Sequence, residues 1–304
     1  MLNSGEFMEN LDTMKNKFLN DFNFLMDPKI INELILYQLG EIYCDDDAVC
    51  KTHTHLDFLE LTFIVSGKGV IYCDDIPIKV KKNDLFVSLP FEKHKIISDS
   101  KEPLRYYFIS FSFLPDSFFK KEILYSPTLL HLPAQLRVHN SQAWANSFIS
   151  LLSTIQESTK YSYLKFELMV KTLCISLWQT CQELPITQYT SPKGFEEQNL
   201  FYKIIHYIDE NLTTINNLTE IADALHYNYV YISRIFKLKS GKSIYQYFSE
   251  RKLLLAEQIL KEGTMSITKI AEHLNYSSIY VFSRSFKKYF GVSPSLYESQ
   301  NKKE

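Results

Sequence analysis

The last third of the chain contains the same short pattern twice. Ile221-Ala222 recurs as Ile270-Ala271, and Arg234-Ile-Phe-Lys237 recurs as Arg284-Ser-Phe-Lys287. The two offsets are 49 and 50 residues, so the second copy carries one extra residue between its motifs. An internal repeat constrains the architecture more than any other sequence feature, and two copies are too few for a solenoid. The pattern therefore predicts a pair of like modules.

Each copy has the pattern of two helices joined by a tight turn. Apolar residues recur at the i, i+3, i+4, i+7 spacing of one helix face, and they are Leu218, Ile221, Ala222 and Leu225, then Ile267, Ile270, Ala271 and Leu274. Candidate capping residues are Asn217 with Glu220, Asn228, Ser266 and Ser278 at the helix starts, and Gly241 and Gly291 at the ends. We expect helix-turn-helix units at residues 218–241 and 267–291, with a joining helix at residues 244–261.

Basic residues are concentrated on the second helix of each unit. Residues 228–242 carry Arg234, Lys237, Lys239 and Lys242, and residues 278–291 carry Arg284, Lys287 and Lys288, with no acidic residue in either segment. The net charge of −2 hides this pattern, because residues 195–304 hold 14 Lys and Arg against 12 Asp and Glu. A single basic helix is usually a solvated face. Two matching basic helices within a repeat instead indicate contact with nucleic acid phosphates.

This segment resembles the DNA-binding domain of AraC/XylS-type transcription regulators. The resemblance extends to Ser243-Ile-x-x-Tyr247 at the start of the joining helix and to Phe290-Gly-Val-Ser-Pro294 near the end of the chain. His226 and Asn275 stand where the family often has a turn glycine. The resemblance implies base contacts by Val230, Ser233, Arg234, Ile279, Tyr280, Ser283 and Arg284. It also implies phosphate contacts by Lys237 and Lys287.

The chemistry of these side chains agrees with those roles. An arginine in the major groove can bind guanine O6 and N7 as a fork, and each such pair gives about 1–3 kcal/mol of discrimination. Val230 and Ile279 offer apolar contacts to thymine methyl groups, while the serines specify little alone. Two units held by one helix should address major-groove segments one turn, roughly 34 Å, apart.

Length and composition bound the remainder of the chain. A chain of 304 residues predicts two domains, and 45% apolar with 22% charged residues is typical of globular proteins. The five cysteines form no CxxC pair, and their odd number favours reduced thiols. The N-terminus lacks the pattern of a secretion signal, and no apolar run reaches about 18 residues. We expect a cytoplasmic protein without a membrane span.

Short strands and turns replace the helical pattern over residues 30–115. Segments such as Leu59–Val65, Val70–Cys73, Ile76–Val80 and Leu85–Leu89 are separated by Gly, Asp and Asn turns. This spacing predicts an antiparallel sandwich or jelly roll. Residues 1–29 are polar with scattered aromatics, and we expect an N-terminal arm there.

His53-x-His55, Glu60 and His94 lie within this strand-rich segment. Their order resembles a cupin barrel, which AraC-type regulators place before their helices as a sensory domain. That resemblance implies a pocket for an organic effector such as a sugar, with His53, His55, Glu60, Phe86 and His94 in its wall and no cofactor. The alternative is a metal site, because three imidazoles and one carboxylate are a plausible ligand set for Fe, Mn, Ni or Zn.

Residues 116–184 are predicted to be helical. Their apolar stripe consists of Leu164, Leu168, Leu173, Leu177 and Cys181, and such a stripe is usually buried core. In the family that the chain resembles, the equivalent helices pair two subunits, so dimerisation is the second interpretation. Residues 185–196 contain Pro192-Lys-Gly194 and are predicted to link this region to the DNA-binding domain at residues 197–304.

These patterns predict a multi-domain α and β protein, with a cupin-like barrel and helices followed by an all-α domain with two helix-turn-helix motifs. The predicted function is sequence-specific transcription regulation controlled by a small-molecule effector, without enzymatic activity. The family resemblance favours activation. The implied partners are an operator in double-stranded DNA, the effector, a second copy of the chain and RNA polymerase. The alternatives are a metal-dependent cupin enzyme or metal sensor fused to a DNA-binding domain, and a constitutive DNA-binding protein with a purely structural barrel.

Overall fold

The computed structural model describes residues 16–25, 27–44, 49–55, 58–114, 117–124, 126–130, 132–157, 159–182 and 195–301. The chain divides into two compact units, residues 1–195 and 196–304. No helix among the described residues combines the length and the apolar composition that a membrane crossing requires.

The N-terminal unit contains two antiparallel sheets. In chain order the strands are β1 Asn16–Asn23, β2 Lys29–Ile31, β3 Leu34–Cys44, β4 Val49–Thr54, β5 Leu59–Ser66, β6 Lys68–Cys73, β7 Ile76–Lys81, β8 Asp84–Ser88, β9 Lys93–Ser98, β10 Arg105–Phe113 and β11 Val138–Asn140. The larger sheet has the order β1-β3-β10-β5-β8-β11, with β2 also paired to β3. The smaller sheet has the order β4-β9-β6-β7. The predicted β-rich domain is confirmed.

The larger sheet extends beyond the predicted barrel segment, residues 30–115, at both ends. Strand β1 pairs with β3, and it lies in the segment expected to be an arm. Strand β11 pairs with β8, and it lies in the segment expected to be helical. Both strands cover backbone groups at the sheet edges, which is a tertiary requirement that a local pattern does not show. Residues 1–15 of the expected arm lie outside the described part of the chain.

Strand β5 shows how both faces of the larger sheet are buried. Because side chains alternate across a strand, Glu60, Thr62 and Ile64 share one face, and Leu59, Leu61 and Phe63 share the other. Ile64 joins the core cluster inside the barrel, whereas Phe63 stacks on Phe148 of a helix, with ring centroids 5.8 Å apart. Both faces of β5 are therefore buried, one by the opposite sheet and one by helices.

The helices of the N-terminal unit lie at residues 118–182. A π-helical turn, Phe119–Leu124, is followed by α1 Pro127–Leu130, a 3₁₀ turn Ala134–Leu136, α2 Ala143–Gln156 and α3 Ser162–Gln182. The predicted apolar stripe of α3 divides into two parts. Leu173, Leu177 and Cys181 are buried, but Leu164 and Leu168 are 45% and 54% exposed. An open groove of about 570 Å³ between α2 and α3 includes both exposed leucines in its lining.

The C-terminal unit is entirely helical over its described residues. Its helices are α4 Phe195–Glu210, α5 Thr219–Leu225, α6 Tyr229–Ser240, α7 Ile244–Glu262, α8 Ile267–His273, α9 Ile279–Phe290 and α10 Pro294–Asn301. The pairs α5/α6 and α8/α9 are the two predicted helix-turn-helix units, and α7 is the joining helix. Residues 185–194 of the predicted linker lie outside the described residues.

The joining helix α7 packs against both helix-turn-helix units. Near its start, Tyr247 contacts Phe236 of α6 edge to face, with ring centroids 5.4 Å apart. Its second half, from Leu253 to Leu260, forms a core cluster with α8 and α9 that includes Phe282 and Phe286. One helix therefore links the two helix-turn-helix units through its two ends.

Candidate DNA-binding surface and barrel site

Helix α6 is positioned by caps that the sequence predicts. The Asn228 side chain accepts a hydrogen bond from the Val230 amide at 2.8 Å, which satisfies one of the free donors at the helix start. Gly241 ends the helix with φ of 72°. His226 ends the preceding helix with φ of 60°, a conformation that a glycine would adopt with less strain.

Helix α9 repeats this arrangement with different residues. Ser278 accepts a hydrogen bond from the Val281 amide at 3.3 Å, and Gly291 ends the helix with φ of 82°. Asn275 has φ of 51° in the turn before α9, and its side chain donates to the Thr213 carbonyl at 2.6 Å. Ser266 caps α8 by accepting from the Lys269 amide. The predicted caps at Asn228, Ser266 and Ser278 are therefore present, whereas α5 begins after Leu218, which makes no side-chain cap.

The two helices present matching faces to solvent. On α6, Ile232, Ile235 and Phe236 are buried, and on α9 the counterparts of Ile232 and Phe236, which are Phe282 and Phe286, are buried. The opposite face of each helix carries four positions at i, i+3, i+4 and i+7, which are Val230, Ser233, Arg234 and Lys237 on α6, and Tyr280, Ser283, Arg284 and Lys287 on α9. Val230 is 75% exposed and Tyr280 is 82% exposed. We call these eight residues the recognition faces.

Ile279 does not share this geometry. It is half-buried and packs against the core cluster of the second unit. By the offset of 50 residues its counterpart in the first unit is Tyr229, not Val230. The geometry therefore favours Tyr280 over Ile279 as a base-contacting residue.

One residue of the surface was missed in the sequence. The Arg234 guanidinium lies over the Tyr231 ring, 5.8 Å from its centroid, and Tyr231 stacks on Tyr227. The signal was available, because residues three apart on a helix are neighbours. A cation held over an aromatic ring loses less side-chain freedom when it binds a base.

In the barrel, the structure brings the four predicted polar residues together. His53 on β4 is paired in register with His94 on β9, His55 follows β4, and Glu60 lies on β5 of the opposite sheet. One ligand atom from each of the four residues lies within 4.8 Å of the others. His55, Glu60 and His94 are buried. The interface between the sheets thus contains three imidazoles around one carboxylate.

The surroundings of Glu60 keep it ionised. Ser110 donates a hydrogen bond to Glu60 Oε2 at 2.9 Å, and His55 Nε2 and His94 Nε2 lie 3.3 and 3.5 Å from the carboxylate oxygens. Burial alone would raise the pKa of Glu60, but the two imidazoles offset burial and leave that pKa well below its usual range. Burial lowers the pKa of His55, so this imidazole is neutral near pH 7.

Phe86, the fifth predicted pocket residue, belongs to the apolar interior. It lies on β8, opposite Thr62 of β5, and packs in the barrel core with Ile64, Ile71 and Phe108. The buried Arg137 guanidinium lies 5.8 Å from its ring and forms an ion pair with Glu92 at 2.6 Å. Phe86 therefore lies in the apolar core, opposite Thr62, two residues along β5 from Glu60.

Comparison with known proteins identifies both units. The AraC-like ligand binding domain family matches residues 36–173, and the Helix-turn-helix domain family matches residues 221–300. The raffinose operon transcriptional regulatory protein RafR of Pediococcus pentosaceus is 26% identical over 262 residues, covering 85% of this chain and 91% of RafR.

Two further relatives match the C-terminal unit. The multiple antibiotic resistance protein MarA of Escherichia coli K12 is 32% identical over 100 residues, covering 33% of this chain and 79% of MarA. The HTH-type transcriptional regulator YtdP of Bacillus subtilis 168 is 39% identical over 105 residues, and the match spans 34% of this chain and 14% of YtdP. With a ligand-binding domain followed by two helix-turn-helix units, the chain belongs to the AraC family of transcription regulators.

Proposed function

We propose that this regulator reads two adjacent segments of the major groove through its recognition faces. Arg234 and Arg284 bind base edges, the neighbouring Val230, Ser233, Tyr280 and Ser283 complete each set of base contacts, and Lys237 and Lys287 bind phosphates. The observation that carries the proposal is the pair of matching solvent-exposed faces on α6 and α9. Each has an arginine in its middle and a lysine one turn later, which suits base readout flanked by backbone contact.

The proposed effector site lies in the barrel, at His53, His55, Glu60, Phe86 and His94. The match to a ligand-binding family over residues 36–173 supports an effector there. RafR is named for a raffinose operon, so a sugar is the effector class to test first. Both tryptophans, Trp144 and Trp178, lie in the N-terminal unit, and their fluorescence can report stabilisation by a ligand.

The proposed assembly is a homodimer that works in the cytoplasm as an activator in contact with RNA polymerase. The exposed part of α3 supports pairing, because Leu164, Leu168 and Ile175 leave apolar area in water that a second copy would cover. The relatives are named as regulators rather than enzymes, and we propose that the barrel binds its ligand without transforming it.

Base readout is tested with the full-length protein on a DNA site selected from random sequences. Arg234→Ala should weaken binding to that site and relax preference at one base pair by about 1–3 kcal/mol. Arg284→Ala should do the same at a base pair about one helical turn away. Lys79→Ala, which removes an exposed charge from β7, is the matched control and should change neither.

Competition binding against each single-base variant of the site gives both the affinity for the site and the preference at each base pair. If Arg234→Ala and Arg284→Ala both kept the affinity and the base preferences of the parent protein, the proposed recognition faces would be wrong.

A further inference from the structure

The polar cluster of the barrel also has the geometry of an ion site. We infer that His53, His55, Glu60 and His94 together bind one divalent first-row transition-metal ion. The inference rests on the proposed effector role of the barrel and deepens it, because it names the ligand class of those four residues.

The distances between the ligand atoms fit one shared ion. Nitrogen and oxygen ligands lie about 2.0–2.2 Å from such an ion, so two of them on one ion are about 3–4 Å apart. The four ligand atoms here already lie within 4.8 Å of one another. The largest separation must shorten by about 1–2 Å for all four to coordinate one ion.

Hydrogen bonding within the cluster leaves several nitrogens unsatisfied. Over the described part of the chain, His55 Nε2 and both ring nitrogens of His94 are buried and make no hydrogen bond. The approaches of 3.3 and 3.5 Å to Glu60 lie beyond the usual range of a hydrogen bond from an imidazole to a carboxylate. Buried polar groups normally have partners, and a metal ion would supply one for these nitrogens and for the carboxylate together.

The three histidine rings of the cluster are packed against one another. The ring centroids of His53, His55 and His94 lie 4.2–4.9 Å from one another, which is van der Waals contact. Their packing therefore holds the ring nitrogens close enough together to share one ion. The adjacent interior is filled by apolar side chains, including Ile64, Ile71 and Phe86.

The ligand types indicate which ions bind. Imidazole nitrogen suits Zn²⁺, Fe²⁺, Co²⁺ and Ni²⁺, whereas Mg²⁺ and Ca²⁺ prefer oxygen ligands throughout. Ser110 donates to Glu60 Oε2 at 2.9 Å and would orient the carboxylate for coordination. Cys50 Sγ lies 3.8 Å from His53 Nδ1, so it contacts the ring of a ligand rather than completing the ligand set.

A bound ion would also connect the two sheets, because its ligands come from both. His53 and His94 belong to the smaller sheet, and Glu60 belongs to the larger sheet. A bound ion therefore stabilises the barrel at the position where the proposed effector signal begins, and its removal should lower the thermal midpoint of the N-terminal unit.

The test uses the full-length protein without an affinity tag. Its metal content is measured after purification without chelator, then after chelation and reloading with Co²⁺. We expect one ion per chain. Loading with Co²⁺ should give a visible absorption spectrum, which disappears when Zn²⁺ displaces the Co²⁺. Loading should also raise the thermal midpoint of unfolding, which is followed by tryptophan fluorescence. His94→Gln and Glu60→Gln should each weaken Co²⁺ binding by tenfold or more.

His139→Gln is the matched control, since His139 is a buried histidine of the same unit outside the cluster. It should keep the Co²⁺ spectrum. A folded parent protein that holds no metal after purification and gives no Co²⁺ spectrum would overturn the inference, and this measurement does not depend on whether the variants fold. Equal Co²⁺ binding by the parent, His94→Gln and Glu60→Gln would also overturn it.

Operator binding is measured on the same samples. A protein that binds its selected DNA site but no metal contradicts the ion site alone. One that binds metal but shows no sequence preference contradicts the proposed DNA readout alone.

Discussion

The two helix-turn-helix units have the same backbone plan but present different chemistry to DNA. Both recognition faces contain Ser-Arg followed by Lys one turn later, yet the pair preceding them is Val230-Tyr231 in the first unit and Tyr280-Val281 in the second. The exposed position at the start of each recognition face is thus aliphatic in one unit and aromatic in the other. If both faces contact bases as proposed, the two units read different base sequences and the DNA site of one chain is asymmetric.

The two units also differ in how they are anchored to their flanking helices. In each, a tyrosine after the unit donates a hydrogen bond to an acid on the helix before it: Tyr247 to Asp209, and Tyr297 to Glu257. In the first unit Asp209 also binds Arg251, with both side chains under 10% exposed. In the second, Glu257 binds Lys261, whose side chain is 42% exposed. The cation beside each acid is therefore placed differently: Arg251 is buried and connects α7 to α4, whereas Lys261 is partly exposed and lies four residues along α7 from Glu257.

The largest predicted effect follows from this difference in anchoring. Arg251→Ala should lower the free energy of unfolding of the C-terminal unit by about 3–5 kcal/mol, because it leaves the Asp209 carboxylate buried without its cation. Lys261→Ala, which removes the cation that pairs with Glu257, should cost about 0–1 kcal/mol, since water screens an exposed pair. Urea unfolding followed by far-ultraviolet circular dichroism measures both.

Tryptophan fluorescence provides an internal control for this comparison. Both tryptophans lie in the N-terminal unit, so their transition should stay unchanged in Arg251→Ala. The double variant Asp209→Ala/Arg251→Ala should recover part of the lost stability, because no unpaired charge remains. Equal losses in Arg251→Ala and Lys261→Ala would show that the two anchors are equivalent.

Exchanging the Val-Tyr order tests whether positions 230 and 280 account for the difference between the recognition faces. Tyr280→Val/Val281→Tyr gives α9 the same exposed set as α6, so the second half-site should shift toward the base preference of the first, by about 1–3 kcal/mol at the affected base pair. The reciprocal exchange, Val230→Tyr/Tyr231→Val, also removes the ring under Arg234. We expect it to shift the first half-site toward the second, as measured by selecting sites for each variant from random DNA.

A null result would locate the specificity elsewhere. If both exchanges left their half-sites unchanged, positions 230 and 280 would not contact bases, and specificity would rest on the arginines or on DNA shape.

The sequence predicts the helical unit better than the barrel for a physical reason. In the helical unit, caps such as Asn228 and Ser278, the turn residue Asn275 and the apolar spacing of each helix all act within one or two turns of chain. The repeat then tests each assignment against a second copy. The His53, His55, Glu60 and His94 set could likewise be found, because its residue types are rare in an apolar strand.

The elements that sequence reasoning missed depend on distant partners. Strand β1 exists because β3 offers it an edge, and the burial of Arg251 depends on Asp209, 42 residues earlier. The split of α3 into buried and exposed leucines is set by where α2 and the barrel lie. For Ile279 the expectation depends on a single residue: a shift of one residue rotates a side chain by about 100° around a helix, and the half-buried Ile279 lies toward the core beside the exposed Tyr280.

The smallest predicted effect concerns the two turns, where His226 and Asn275 have positive φ. A left-handed conformation costs most side chains roughly 1–2 kcal/mol, and glycine avoids this strain. About 0.5–1 kcal/mol of the gain is lost again, because glycine has more conformational freedom in the unfolded chain. His226→Gly should therefore stabilise the first unit by about 0.5–1 kcal/mol. The second turn provides the comparison, because Asn275 tolerates positive φ better than histidine does.

Asn275→Gly should have the opposite sign. Asparagine adopts positive φ at little cost, so glycine relieves almost no strain there. The substitution also removes the hydrogen bond from the Asn275 side chain to the Thr213 carbonyl, which contributes about 0.5–1.5 kcal/mol. The urea midpoint of the helical transition should rise for His226→Gly and fall for Asn275→Gly. Two shifts of the same sign would mean that backbone strain does not distinguish the turns, and that the two units differ only in their anchors and their base contacts.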